Sequence, residues 1–302
     1  MSIIERALGK LGGGTPPQVE PQPIVEAPVT QVASEPVAEK PLREERPARP
    51  AAAPGRSVNI DLARMERLGM LTPNASRNQL AEEFRHIKRP LLANAFDSNA
   101  SPERHRNLIM VTSAFPGEGK SFCAINLAMS LATEMDRTVL LVDADVARPR
   151  ILEYLGLRTE RGLLDILRDS RRDLSDVLLR TNIEKLSILP AGTASGHSTE
   201  LLASEAMNAL IDDVAGRYPD RIIIFDSPPL LATSEAVVLA GHMGQVVMVV
   251  EADKTPRAAV KEAIGLIEDS CDIIGMVLNK TNVSQGAAGY YGYGGYGYGE
   301  KK

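Results

Sequence analysis

The pattern of apolar and polar positions changes at about residue 107. Beyond it, short β-branched apolar runs alternate with segments whose apolar residues recur at helical spacing. Because the short runs are apolar on both faces, they are typical of strands in a helix-covered parallel sheet. The pattern predicts a doubly wound α/β fold with a mainly parallel sheet, and ligands at the carboxyl ends of its strands. The predicted strands are 107–113, 138–143, 186–190, 221–226, 245–250 and 273–279. The predicted helices are 120–135, 148–155, 161–169, 173–180, 199–216, 233–241 and 256–270.

Two more helices are predicted ahead of this region. The first covers 61–68 and ends at Gly69, and the second runs from Asn78 to about Ile87. The second helix carries Glu82, Arg85 and Lys88 three residues apart, which places them on one charged stripe. Such stripes are usually solvent-exposed helix faces.

The N-terminal part of the chain divides into two segments. Residues 1–12 contain one apolar face of a short amphipathic helix, which is too short to be stable alone in water. It is either a frayed terminus or a docking helix for a partner or a membrane surface. Residues 13–57 contain ten of the twenty prolines, so we expect a disordered, extended linker. The ordered domain is predicted to span 58–285.

The last segment, 286–302, interleaves glycine and tyrosine. Five of the seven tyrosines in the chain fall within nine residues of it. Glycine spacing prevents a packed core, so a flexible tail with exposed hydroxyls is expected. The segment is either low-complexity decoration or a functional element. Its tyrosines are Tyr290, Tyr291, Tyr293, Tyr296 and Tyr298.

Composition narrows the function classes. A formal net charge of −5 argues against general nucleic-acid binding. The two cysteines lie in apolar runs, which indicates buried thiols in a reducing compartment and gives no metal spacing. No run of 18 apolar residues and no signal-peptide core occurs, so we expect a cytoplasmic protein with an indirect link to the membrane.

The loop Pro116-Gly117-Glu118-Gly119-Lys120-Ser121 stands between a predicted strand and a predicted helix. This layout is typical of a phosphate-binding loop, whose N–H groups and helix N-terminus point at an anion. Lys120 would reach the β- and γ-phosphates, and Ser121 would hold Mg²⁺. Ala114 takes the place of the usual first glycine, so the loop is a variant. The simpler interpretation is a Gly-Pro turn before a helix.

Three aspartates follow predicted strands. Asp143 and Asp145 end the strand at 138–143, and Asp226 ends the strand at 221–226. In a parallel sheet these carboxylates reach the same edge as Lys120 and Ser121, where they can hold Mg²⁺ or its waters and accept a proton from a hydroxyl. Each one alone could be a turn residue or a helix cap.

These motifs resemble those of the bacterial tyrosine autokinases, P-loop kinases that accompany exopolysaccharide export, and within them the exosortase-associated branch. The resemblance covers about 60–302 and rests on the phosphate loop, Asp143-x-Asp145, Asp226-x-Pro228-Pro229 and the tyrosine cluster. It implies a P-loop NTPase-type fold and transfer of the ATP γ-phosphoryl group to the tail tyrosines, in trans within a ring. Phosphotyrosines, each adding about −1.5 to −2 charge, would then loosen the ring.

The resemblance also implies site roles. Lys120 binds phosphates and stabilises transition-state charge, Asp143 orients or deprotonates the tyrosine hydroxyl, and Asp145 is the third catalytic residue. Mg²⁺ is held by Ser121, Asp145 and Asp226. The implied nucleotide contacts are Pro116, Gly117, Glu118, Gly119, Lys120, Ser121, Phe122 and, at the adenine base, Asn279.

Further implications concern assembly. Glu82, Arg85 and Lys88 resemble the Glu-x-x-Arg-x-x-Arg element through which subunits form a ring, with Lys88 in place of the last arginine and Arg89 beside it. Ala147 replaces another family arginine, and Arg148 follows it. The implied partners are further copies of the chain, the cytoplasmic segment of a membrane polysaccharide co-polymerase, and a tyrosine phosphatase.

Two other functions are compatible with the motifs. Partition and division-site ATPases share the fold but carry a second lysine early in the phosphate loop, where this chain has Phe115. A nucleotide-sensing scaffold without turnover is the other alternative, although an intact Lys120, Ser121 and three acids argue against it.

Overall fold

The computed structural model of the chain describes residues 56–73, 78–97, 105–169, 173–217, 220–271 and 273–281. The described strands are β1 (Arg56–Val58), β2 (Leu108–Ser113), β3 (Thr138–Asp143), β4 (Leu179–Thr181), β5 (Leu186–Leu189), β6 (Arg221–Asp226), β7 (Gln245–Glu251) and β8 (Ile274–Asn279). The described helices are α1 (Leu62–Arg67), α2 (Gln79–Ala95), α3 (Lys120–Ala132), α4 (Ile151–Tyr154), α5 (Leu163–Arg168), α6 (Ser198–Leu202), α7 (Glu205–Arg217), α8 (Ser234–Ala240) and α9 (Arg257–Gly265).

The strands form one sheet in the order β1-β4-β5-β3-β6-β2-β7-β8. Neighbouring strands run parallel, except for the antiparallel pair β4–β5. Strand β6 lies between β3 and β2, with Asp226 opposite Asp143 on one side and opposite Val111 on the other. The phosphate loop and the strand-end acids therefore meet at one edge of the sheet, and the predicted doubly wound, mainly parallel fold is confirmed.

Helices cover both faces of this sheet. On β2, Ile109 and Val111 face a core shared with α1 to α4, while Leu108 and Met110 face a core shared with α5 to α9. Helix α3 is buried along almost its whole length. Burying a large aliphatic side chain such as Ile125 contributes about 1.5–3 kcal/mol, so this packing fixes the helix that begins at Lys120.

All six predicted strands are present within one residue of their predicted ends. Strands β1 and β4 were not predicted, and β1 begins inside the predicted linker. The predicted helix at 173–180 is wrong: a 3₁₀ turn, Leu174–Asp176, leads directly into β4. The Asp173 carboxylate accepts a hydrogen bond from the Ser175 N–H at 2.8 Å, and the Asp176 carboxylate accepts one from the Asp173 N–H at 3.1 Å. This reciprocal cap favours a single turn over a helix.

Several helix ends also differ from the prediction. Helix α2 continues to Ala95 through Pro90, because its far end is held by β7: the Gln245 side chain donates to the Leu91 carbonyl at 3.0 Å and accepts from Asn94 at 3.1 Å. The predicted helix at 199–216 is divided into α6 and α7. The predicted helix at 148–155 is reduced to the one turn of α4, and α9 ends at Gly265 rather than 270.

The charged stripe on α2 is only partly as predicted. Glu82 and Arg85 pair with each other on the surface. Lys88 is instead 6% exposed, and its ammonium group contacts the Glu134 carboxylate at 2.6 Å and the Ser130 carbonyl at 2.8 Å. The Lys88 side chain therefore binds the C-terminal end of α3 within its own chain, and its placement on an exposed stripe is corrected.

The predicted N-terminal helix, most of the linker and the tyrosine tail lie outside the described residues. In the part of the chain that the structure describes, no helix combines the length and apolar character needed to cross a membrane.

Candidate active site

The phosphate loop follows β2 and takes a conformation that depends on glycine. Gly117 and Gly119 both have positive φ values, 88° and 101°. A Cβ atom on Gly119 would lie 2.0 Å from the Asn279 side-chain nitrogen, so another residue there would displace the Asn279 side chain besides straining the backbone. Ala114, which replaces the usual first glycine, is fully buried.

Glu118 holds the loop from within. Its carboxylate is buried and accepts a hydrogen bond from the Phe115 N–H at 2.8 Å and another from the Thr255 hydroxyl. Thr255 lies in the segment that follows β7. Glu118 was predicted only as a nucleotide contact. Its side chain in fact ties the loop to the neighbouring strand end, a role that the sequence motif does not reveal.

Lys120, the first residue of α3, forms an ion pair with Asp145, with 2.6 Å between Nζ and Oδ2. Burial would lower the pKa of Lys120, but the nearby carboxylates of Asp226, Asp145 and Asp143 outweigh it, so the pKa is raised. Lys120 is therefore a fixed cation at neutral pH. The Asp145 carboxylate also accepts a hydrogen bond from the Arg148 N–H at 3.1 Å.

Asp226 and Asp143 are buried beside this pair. Neither oxygen of Asp226 has a hydrogen-bond partner with ordinary geometry among the described residues, although the Ser121 hydroxyl is close enough to lower its pKa. Burial outweighs this contribution and that of Lys120, and raises the pKa of Asp226 to about 6. Burial and the neighbouring Asp226 also raise the pKa of Asp143, whose Oδ2 accepts a hydrogen bond from the Ile151 N–H at 3.1 Å.

Three carboxyl groups surround one ammonium group, and among the described residues three of their oxygens, both of Asp226 and one of Asp143, are buried without a hydrogen-bond partner. This arrangement fits a hydrated divalent cation. Among the described residues, no three acidic, imidazole or thiol groups converge as direct ligands of one ion. A cation here would therefore bind the protein mainly through the Ser121 hydroxyl and through water held by carboxylates.

A cavity of about 660 Å³ opens on the phosphate loop. Seven residues predicted for the site line it: Pro116, Gly117, Gly119, Lys120, Ser121, Phe122 and Asp145. The lining also contains residues to which the sequence analysis gave no site role, Arg150, Tyr154, Ala232 and Thr233. The Thr233 hydroxyl is buried and has no partner among the described residues. No sequence motif marks these four residues.

Asn279 was predicted to contact the adenine base. In the structure its side-chain nitrogen donates to the Glu118 carbonyl at 2.8 Å, so it lies against the outside of the phosphate loop. Adenine recognition by Asn279 stays a prediction, as do the phosphoacceptor roles of the tail tyrosines.

The loop, the strand-end acids and the sheet order together define a P-loop NTPase. The family model described as ParA, NUBPL iron-transfer P-loop NTPase, matches residues 104–290. Iron transfer belongs to that description and finds no support here, because both cysteines of this chain are buried.

Individual relatives show to which class of P-loop NTPase the chain belongs. The chain is 32% identical over 197 residues to the tyrosine-protein kinase YwqD of Bacillus subtilis (strain 168), covering 64% of this chain and 81% of that protein. It is 33% identical over 202 residues to the tyrosine-protein kinase CpsD of Streptococcus agalactiae, covering 66% of this chain and 85% of that protein. The solved VpsO kinase domain is 30% identical with a TM-score of 0.54, covering 68% of this chain and 100% of that domain. The chain belongs to the family of bacterial tyrosine-protein kinases. The exosortase-associated branch stays a prediction.

Proposed function

We propose that the protein transfers the γ-phosphoryl group of ATP, with Mg²⁺, to tyrosines of its own C-terminal cluster. The observation that carries the proposal is the site around Lys120. A buried ammonium group is paired with a cavity-lining carboxylate, Asp145, and lies beside the Asp226 carboxylate, for which the described residues offer no hydrogen bond of ordinary geometry. Carboxylates in this place can hold Mg²⁺ or its waters and accept a proton from an attacking hydroxyl, as phosphoryl transfer requires.

The described residues suggest how the site works. Loop N–H groups and Lys120 bind the β- and γ-phosphates, and Mg²⁺ would neutralise charge on the phosphate oxygens, held by Ser121 with Asp145 and Asp226 around it. When nucleotide binds, Lys120 exchanges Asp145 for a phosphate oxygen. The Asp145 carboxylate then becomes available inside the cavity.

We propose a different division of roles between the two acids at the end of β3, Asp143 and Asp145. Both acids are buried, but Asp145 lines the cavity, whereas Asp143 is not among its lining residues and has one oxygen engaged by the Ile151 N–H. We therefore assign proton acceptance to Asp145. As the tyrosine oxygen attacks the γ-phosphorus, its proton passes to Asp145 and ADP leaves with the bridging oxygen. Asp143 would act by holding the start of α4 and by its charge.

The tail tyrosines are the proposed acceptors, entering the site of a neighbouring subunit in a ring that uses Glu82 and Arg85. The proposed role is regulation of exopolysaccharide polymerisation and export at the inner face of the plasma membrane. The proposed partners are the cytoplasmic segment of a membrane co-polymerase and a tyrosine phosphatase. The support for this part is the family membership and the concentration of tyrosine in an otherwise tyrosine-poor chain.

Incubation with γ-labelled ATP and Mg²⁺ tests the proposal, with and without a co-polymerase segment. We expect label on the protein, and none on Lys120→Met. Release of free phosphate without protein labelling would indicate the second candidate, a plain ATPase of the ParA type, which the family match favours. Nucleotide binding without either product would indicate a scaffold.

A further inference from the structure

Two consecutive residues at the end of β8 bind two consecutive carbonyl groups of the phosphate loop. The Lys280 ammonium group donates to the Gly117 carbonyl at 2.7 Å. The Asn279 side chain donates to the Glu118 carbonyl at 2.8 Å. The contacts come from a strand separated from the loop by more than 150 residues of sequence.

The function of a phosphate loop depends on the orientation of its peptide groups. Its N–H groups bind phosphate only if they point into the site, and the carbonyl of each peptide then points away. Turning one peptide over would place a carbonyl dipole against the phosphate oxygens. A donor on the outer side of the loop, above all a cationic one, stabilises the binding orientation.

Lys280 is itself held in place. Its ammonium group also lies 3.1 Å from the Glu251 carboxylate at the end of β7. Its φ value is 59°, in the left-handed region that a residue with a side chain rarely adopts. Lys254 shares the Glu251 partner at 3.2 Å but makes no described contact with the phosphate loop. The chain thus offers a matched control.

We propose that Asn279 and Lys280 form a clamp that fixes the phosphate loop in its binding orientation, and that both are positioning residues. The inference rests on the nucleotide-binding part of the proposed function. Because the clamp acts on the loop and not on the base, its loss should weaken binding of ATP and GTP by the same factor.

The test is calorimetric measurement of Kd for Mg²⁺ complexes of a non-hydrolysable ATP analogue and its GTP counterpart. Since a charge-assisted hydrogen bond is lost at a half-exposed group, we expect Lys280→Met to raise both Kd values about 3- to 10-fold. Lys254→Met should stay within about twofold, because an exposed ion pair contributes little. Lys280→Arg keeps the cation and should recover most of the affinity.

Lys280→Gly distinguishes an effect on nucleotide binding from an effect on the stability of the protein. It removes the side chain and relieves the left-handed backbone, so the melting temperature should not fall while Kd still rises. Equal Kd values for Lys280→Met and Lys254→Met would overturn the clamp. If Asn279→Ala changed the ratio of ATP to GTP affinity, Asn279 would read the base instead. A wild-type protein that bound neither nucleotide would overturn the proposed function and the clamp together.

Discussion

Asp226, a proposed active-site residue, should lower the stability of the nucleotide-free protein. Its carboxylate is fully buried and has no hydrogen bond of ordinary geometry within the described part of the chain, and its pKa is raised to about 6 from an ordinary value of 3.8. At 1.36 kcal/mol per pKa unit, this difference corresponds to about 3 kcal/mol of lost stability once the group is ionised in both states. Asp226→Asn removes the charge with little change in shape.

The sign of the pH dependence follows from the direction of the shift. Because the folded pKa lies above the ordinary value, the native state holds the proton more tightly between about pH 4 and pH 6. Stability is therefore lost as pH rises through that window, and the loss is constant above it. Asp226→Asn should be more stable than wild type at pH 8, by about 3 kcal/mol or roughly 6–12 °C in melting temperature, and nearly equal to it at pH 4.

Thermal unfolding without nucleotide, at pH 4 and pH 8, checks this expectation. Asp136→Asn, a change of an exposed aspartate, serves as the control and should have little effect at either pH. The reasoning would be refuted if Asp226→Asn were less stable than wild type at pH 8, or if its advantage were the same at both pH values. The same variant should lose phosphoryl transfer.

Three further predictions follow from buried groups. Lys88→Met should lower the free energy of unfolding by about 1–3 kcal/mol, because Lys88 binds the end of α3 within the chain. Arg85→Gln should lower it by under about 0.5 kcal/mol, because its ion pair is exposed, and chemical denaturation measures both changes. A Lys88 variant with unchanged stability but altered oligomer size would contradict the placement of Lys88 within its own chain. Burial raises the pKa of the Cys123 thiol to about 12, so the thiol should not react with iodoacetamide at pH 8 until the protein unfolds. Rapid labelling of the native protein would contradict the buried position of Cys123. Glu118→Ala should weaken Mg-ATP binding several-fold with a smaller effect on turnover, because the phosphate loop loses the hydrogen bonds of Glu118 with the Phe115 N–H and the Thr255 hydroxyl. A change confined to kcat would argue for a chemical role of Glu118 instead.

Most of the site could be predicted because it follows directly from strands with strong sequence patterns. The apolar runs before Ser113, Asp143 and Asp226 fix the strand ends, and a parallel sheet brings such ends together. The six predicted strands are apolar runs, and each has four to seven residues in the structure. The two that were missed, β1 and β4, have three residues each, and their pairing is decided by tertiary contacts.

Other features depend on contacts that local patterns do not encode. Lys88 has the spacing of a surface stripe, yet its side chain is buried because it binds Ser130 and Glu134, at the C-terminal end of a different helix, α3. Pro90 suggests a helix end, but the contact of α2 with Gln245 carries the helix past it. Asp143 and Asp145 are equivalent in sequence. Only the path after β3 places Asp145 beside Lys120 and Asp143 behind it.

The central claim, transfer of phosphate to the tail, is tested most directly by mapping phosphotyrosine after incubation with Mg-ATP. Wild type and Tyr218→Phe should carry phosphate within Tyr290 to Tyr298. A variant with all five tail tyrosines changed to phenylalanine should carry almost none, although it still binds nucleotide. Phosphate retained at wild-type level in that variant, or present in Lys120→Met, would contradict the account.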